Sequence, residues 1–190
     1  MANFHDVYVD ALILAGQKKL AEGDSKEALA LFNEAFEYPV NHQVFLVDER
    51  TPRDAQIWWN IAKAYESAGQ RSKAMAAYKK AAAVDDKGTD YRYWKGLALS
   101  KLGKSAEAKA LFDGLVESGK SGVVTEFVNF YGAEGTTVST VEGINTKAYY
   151  TMGLGYLGLG ETSEAKKCFE ESVRLKIDNL WPNVMLKDLK

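Results

Sequence analysis

The residues with the most pointed chemical suggestion lie in TMGLGYLGLGETSEAKKCFEESV, Thr151 to Val173. Gly153, Gly155 and Gly158 form a G-x-G-x-x-G, and Asp178 follows Gly158 by 20 residues. Between a strand and a helix, such glycines bring backbone N–H groups up to a dinucleotide's pyrophosphate, and an acid at that distance binds the ribose. The remaining chemical inventory is thin. Cys168 is the only cysteine, so no internal disulfide can form. Cys168 lies beside Phe169 in a helical pattern and reads as a half-buried packing thiol. The two histidines, His5 and His42, are far from each other and from any second thiol, so no metal-ligand cluster is expected. Serines and carboxylates are plentiful but sit in turns and on helix faces. No paired-carboxylate motif or nucleophile elbow is present. No cofactor and no enzymatic activity are expected.

Whether the glycines cradle a phosphate depends on the elements around them. The fingerprint requires a buried parallel strand first, and INTKAYYTM is half polar. It also requires partner βαβ units, and strand-like alternation is nearly absent from the chain. Long stretches are instead rich in Ala, Leu, Glu and Lys, with prolines only at Pro39, Pro52 and Pro182, which implies an all-α fold. A length of 190 residues suits one domain with a real core. The net charge of −2, with both signs interspersed, lacks the clustered basic excess of a nucleic-acid binder. No apolar run approaches the roughly 20 residues that span a bilayer, and MANFHDVYVD lacks the regions of a signal peptide. A cytoplasmic protein with no membrane insertion is expected.

Four segments share one design. They run from Ala11 to Ala35, Ile57 to Ala81, Tyr93 to Leu115 and Tyr149 to Val173. Each has a small residue within a first helix (Gly16, Ala62, Gly96, Gly153), a turn (Gly23-Asp24, Gly69-Gln70, Gly103-Lys104, Gly160-Glu161) and an alanine with an aromatic four residues later. Those pairs are Ala28/Phe32, Ala74/Tyr78, Ala108/Phe112 and Ala165/Phe169, each on one helix face. The small residue lets the second helix approach, and the aromatic fills the seam. Gly153 and Gly160 therefore have structural places, and Gly155 and Gly158 remain as added flexibility.

This pattern resembles the tetratricopeptide repeat, a 34-residue helix–turn–helix unit. The second segment carries Trp58, Ile61, Ala62, Tyr65, Gly69, Ala74, Tyr78 and Ala81 at the family's spacings. The fourth carries Tyr149, Met152, Gly153, Tyr156, Gly160, Ala165 and Phe169, with Ser172 in place of a final alanine. The third departs at Arg92 and Lys95, and the first at Lys19. The resemblance implies an α-α superhelix of about four helical hairpins, at 8–37, 54–87, 88–120 and 145–178, within a single domain. Two inserts, at 38–53 and 121–144, and a capping helix at 179–190 complete it. Helical spacing of Val123, Val124, Phe127, Phe130 and Tyr131 predicts a short helix in the second insert, with Phe127, Phe130 and Tyr131 contacting a partner.

By analogy with the family, function lies on the concave face of the first helices. The groove positions are Trp59, Lys63 and Glu66, then Tyr93 and Lys101, then Lys147 and Tyr150. Trp59, Tyr93 and Tyr150 recur at one place in successive units, which predicts an aromatic stripe that either anchors a partner or, if the inserts fold over it, becomes core. The asparagines of a terminal-carboxylate clamp are missing, since Asn60 lies one position off the groove. EYPVNH, DAQIWWNIAKAYESAG, LGKSAEAKALFDGL, TEFVNFYG and AYYTMGLGYLGLG also resemble the C-terminal repeat region of large bacterial proteins that carry an uncharacterised β-rich domain. The expected function is a non-catalytic scaffold that binds a protein segment, a sibling domain or a second copy. The alternative is an accessory carbohydrate-binding or packing region of a larger bacterial glycan-active enzyme.

Overall fold

The computed structural model describes residues 4–37, 51–125 and 140–189. Among these residues there are nine helices and no strand. They are α1 (Phe4–Ala21), α2 (Ser25–Glu34), α3 (Asp54–Ser67), α4 (Arg71–Ala83), α5 (Arg92–Lys101), α6 (Ser105–Gly122), α7 (Val141–Gly158), α8 (Thr162–Leu175) and α9 (Leu180–Asp188). The fold is all-α. His42, Phe127, Phe130 and Tyr131 lie outside the described residues. The chain forms two compact units, Met1–Ala108 and Lys109–Lys190.

One turn recurs four times, between α1 and α2, α3 and α4, α5 and α6, and α7 and α8. Gly23, Gly69, Gly103 and Gly160 have φ of +85°, +69°, +78° and +81°, a region that side chains other than glycine's rarely tolerate. Each glycine N–H bonds back to the carbonyl three residues earlier, and the next N–H to the carbonyl five earlier, as in Gly69 to Glu66 (3.0 Å) and Gln70 to Tyr65 (2.9 Å). This double bond satisfies the last carbonyls of the first helix and reverses the chain at once. Asp24 adds a cap to α2, accepting from the Glu27 N–H at 3.0 Å.

In the first unit, α1 packs on α2 and α3 on α4, with α2 against α3 and α4 against α5. Gly16 lies so close to Phe32 that a Cβ there would collide with the ring. Phe32, Tyr78, Ile13 and Ile61 fill the core. Trp58 contacts Phe36 at 4.8 Å between ring centres and carries the Lys80 ammonium 4.1 Å above its ring.

The two departures from the repeat pattern at Arg92 and Lys95 have a structural reason. Asp86, in the connection from α4 to α5, accepts from the Gly88 N–H (2.9 Å), Arg92 (3.3 Å) and Lys95 (3.1 Å). Lys95 also donates to the Val84 carbonyl at the end of α4, at 2.9 Å. Burial works against the charge of Asp86, but these donors outweigh it and hold its carboxyl below its ordinary pKa. A lowered folded-state pKa means stabilisation that is complete above the ordinary carboxylate range and lost as pH falls through the folded value. Asp86→Asn is therefore expected to destabilise the protein by about 1–2 kcal/mol at neutral pH. In urea titrations the gap between variant and wild type should close in acid. A gap independent of pH would mean that the carboxylate's charge is not what holds the connection.

In the second unit, α7 packs against α8, and α8 against α9. Gly153 faces Phe169 as Gly16 faces Phe32, with no room for a Cβ. Gly155 and Gly158 are not added flexibility, as the repeat pattern alone suggests. Both are helical and both abut α6. A Cβ on Gly155 would stand 2.8 Å from the Phe112 carbonyl oxygen and the Val116 nitrogen, and one on Gly158 would enter the Phe112 ring. Gly119 of α6 reciprocates, with Ala148 O and Met152 Cβ each 2.7 Å from where its own Cβ would be. Gly155 and, from the other side, Gly119 let α6 and α7 approach backbone to backbone, while Gly153 and Gly158 make room for the Phe169 and Phe112 rings. Ser172, in place of alanine, donates to Thr146 O at 2.8 Å and accepts from Asn179 at 3.2 Å, so it ties α7, α8 and the start of α9 together. The Asn145 side chain accepts from the Val124 N–H (2.8 Å) and donates to the Val124 carbonyl (2.9 Å), fastening the chain after α6 to the start of α7.

Candidate functional site

The first helices α1, α3 and α5 of the first unit are neighbours, and polar side chains link them at three levels. At one end, buried Arg53 pairs with Asp10 and Asp6 of α1 and stands 5.9 Å from the Tyr91 ring centre. Burial pushes the Tyr91 phenol up to about 12, with Arg53 acting in the opposite direction. In the middle, Gln17 donates to Asn60 at 3.0 Å, and Asn60 donates to the Gln56 carbonyl at 2.8 Å. At the other end, Glu66 accepts from Lys63 of its own helix (3.2 Å) and from Lys101 of α5 (3.1 Å).

This third level gathers four of the residues read as groove positions: Trp59, Lys63, Glu66 and Lys101. Trp59 is half-buried, and its ring centre is 5.2 Å from that of Tyr78. The Lys101 ammonium lies 5.8 Å from the Tyr78 ring centre. Burial opposes the charge of Glu66, but the surrounding Lys101, Tyr78 and Lys63 side chains overcome this and lower its pKa. Tyr78 was legible only as a packing aromatic. Its hydroxyl, buried next to Glu66, has its pKa raised by burial and then by that carboxylate. It closes no well-formed hydrogen bond among the described residues. A cavity of about 420 Å³ opens here, lined by Glu66, Gly69, Arg71, Ala74, Met75, Tyr78 and Lys101.

The other positions differ in exposure. Tyr93 keeps 7% of its surface and packs edge-on against Trp94 at 5.3 Å. In the second unit, Tyr150 also keeps 7%, with its ring centre 6.1 Å from that of Phe169, while Lys147 is exposed. Cys168 is buried, and burial, then Glu164, pushes its thiol up to about 11, which suits a packing group rather than a thiolate nucleophile. Among the described residues no three of His, Cys, Asp or Glu are grouped to hold a metal, and no helix is long and apolar enough to cross a membrane.

A search of curated protein sequences returns no significant match. Similar solved structures include MamA 41-end from Desulfovibrio magneticus RS-1, at 16% identity over 96% of this chain and 83% of that one, with a TM-score of 0.33. Another is the first TPR of Spaghetti (RPAP3) bound to HSP90 peptide SRMEEVD, at 18% identity over 75% of this chain and 95% of that one, with a TM-score of 0.30. The tetratricopeptide repeat profile matches residues 55–87, 89–118 and 146–179. It does not reach α1 and α2, whose turn and Gly16–Phe32 contact have the geometry of the matched α7–α8 hairpin. With more than half of its length matched, and with one glycine turn and one glycine–aromatic seam recurring along it, the chain belongs to the tetratricopeptide repeat family.

Proposed function

We propose that the chain is a non-catalytic protein-binding module whose docking face is formed by Trp59, Lys63, Glu66 and Lys101 on α3 and α5. Tetratricopeptide repeats commonly mediate protein–protein interaction. The observation that carries this reading is the bridge from Glu66 to Lys63 and Lys101, which aligns charges of both signs beside a half-buried tryptophan. A large rigid aromatic flanked by partly exposed charges is a common centre of binding energy. Tyr93 and Tyr150 have little surface to offer a partner. Sugar recognition calls for free carboxamides beside an open ring, whereas Gln17 and Asn60 bond to each other and to the Gln56 carbonyl.

The test is to pan a random linear peptide library on the intact chain and measure selected peptides against variants. Trp59→Ala is expected to weaken them by about tenfold or more. Lys166→Ala, on an exposed helix face, should change nothing. Failure to enrich any peptide, or peptides indifferent to Trp59, would overturn the assignment.

A further inference from the structure

Helix α1 is apolar on two sides. Val9, Leu12, Ile13 and Gly16 are buried on the side turned toward α2 and α3. The opposite side carries Val7, Ala11, Leu14, Ala15 and Lys18. Val7 keeps 54% of its surface, Ala11 and Ala15 are exposed, and Leu14 is half-buried. From Val7 to Ala15 this side has no charge, whereas α6 and α8 present ion pairs such as Lys109–Asp113 and Lys166–Glu170. A helix that is apolar on both sides is ordinarily covered on both. Val7, Ala11, Leu14 and Lys18 are spaced by four, three and four residues, the interval that keeps one seam against a partner helix.

The two ends of α1 differ in charge. Asp6 lies in its first turn, near Glu34, which accepts from Tyr8 at 2.6 Å; Lys18 and Lys19 lie in its last turn. Glu22 holds Lys19 at 3.1 Å but reaches Lys18 only at 4.0 Å, and the Lys18 side chain is 78% exposed.

We propose that this side of α1 is where two copies of the chain join, as antiparallel helices related by a two-fold axis at Ala11. Charge chooses the partner and the direction. Antiparallel pairing sets the acidic end of each helix near Lys18 of the other and opposes the helix dipoles, whereas parallel pairing sets like ends together. Ala11 meets its own counterpart at the axis, where its small side chain lets the helices close. Val7 of each copy covers Leu14 and Ala15 of the other. The strip is short, so the dimer is weak, with a Kd of about 10–100 µM. The link from α1 to α3 runs through Gln17, on another side of the helix, so the docking face on α3 and α5 stays uncovered.

Sedimentation equilibrium of the intact chain over about 5–300 µM tests this. The wild type should pass from monomer to dimer across that range. Ala11→Glu brings two carboxylates together at the axis and should weaken the dimer by about tenfold or more. Its helical circular dichroism and its Trp59-dependent peptide binding should not change. Diamide oxidation should join Ala11→Cys chains into a disulfide dimer and Lys18→Cys chains poorly, because only a residue at the axis meets its own copy. The native Cys168 is buried. A wild type that stays monomeric, or a dimer indifferent to Ala11→Glu, would overturn the interface and leave the docking face standing. Equal cross-linking at the two positions would overturn the antiparallel pairing.

Discussion

Gly155→Ala is expected to destabilise the second unit by about 3 kcal/mol, a fall in melting temperature of roughly 10 °C. Alanine is ordinarily the better helix residue by about 1 kcal/mol, so local propensity predicts the opposite sign. Packing decides the matter. The new methyl carbon would lie 2.8 Å from the Phe112 carbonyl oxygen and the Val116 nitrogen, and 2.7 Å from Val116 Cγ2. Two of these atoms are backbone and cannot rotate away, so α6 and α7 must separate and lose contact along their length. Gly158→Ala meets the Phe112 ring, which can turn, and should cost less. Thermal unfolding followed by circular dichroism checks both. If the three glycines served a phosphate instead, Gly155→Ala would leave the melting temperature unchanged or raise it.

The same glycines mark where the sequence stops being legible. Gly16, Gly153 and the four turn glycines were readable because each has a fixed offset from an aromatic on its own hairpin, and a hairpin's geometry is set by local spacing. Gly155 and Gly158 answer to Phe112 and Val116, on a different hairpin more than thirty residues away, and nothing in local spacing reports that contact. The candidate site divides in the same way. Trp59, Lys63, Glu66 and Lys101 follow from the resemblance to the repeat family and its groove positions, whereas the pairing of Glu66 with Lys101 depends on how α3 and α5 are registered. Burial was the least legible quantity. Tyr93 and Tyr150 share Trp59's place in the repeat, yet only Trp59 keeps substantial surface, because exposure depends on what stands opposite rather than on the position in the repeat. Arg92, Lys95 and Ser172 read as lapses from the pattern and are, in the structure, the ties that join one helix to the next.

Arg53 was not legible at all, and replacing it should have an effect as large as that of Gly155. It follows Pro52 at the entry to α3, where the sequence suggests only a helix start. The structure buries its side chain to 8% exposure between α1 and α5, against Asp10, which is 18% exposed, and Asp6, which is 54% exposed. Arg53→Met keeps the aliphatic stem but leaves Asp10 without its guanidinium in a site that is poorly hydrated. Removing one member of a buried pair costs about 3–5 kcal/mol; partial exposure of the carboxylates places the expected loss near the lower end. Adding Asp10→Asn to Arg53→Met should recover much of it, because an amide in that site carries no unpaired charge. Denaturant unfolding of the two single variants and the double variant yields the coupling. A strong coupling assigns Arg53 to holding the first helices side by side, which is the precondition for Glu66 and Lys101 to meet at the other end of the same face. Additive effects would mean that Arg53 contributes through its stem and that the register of α3 on α5 is set elsewhere.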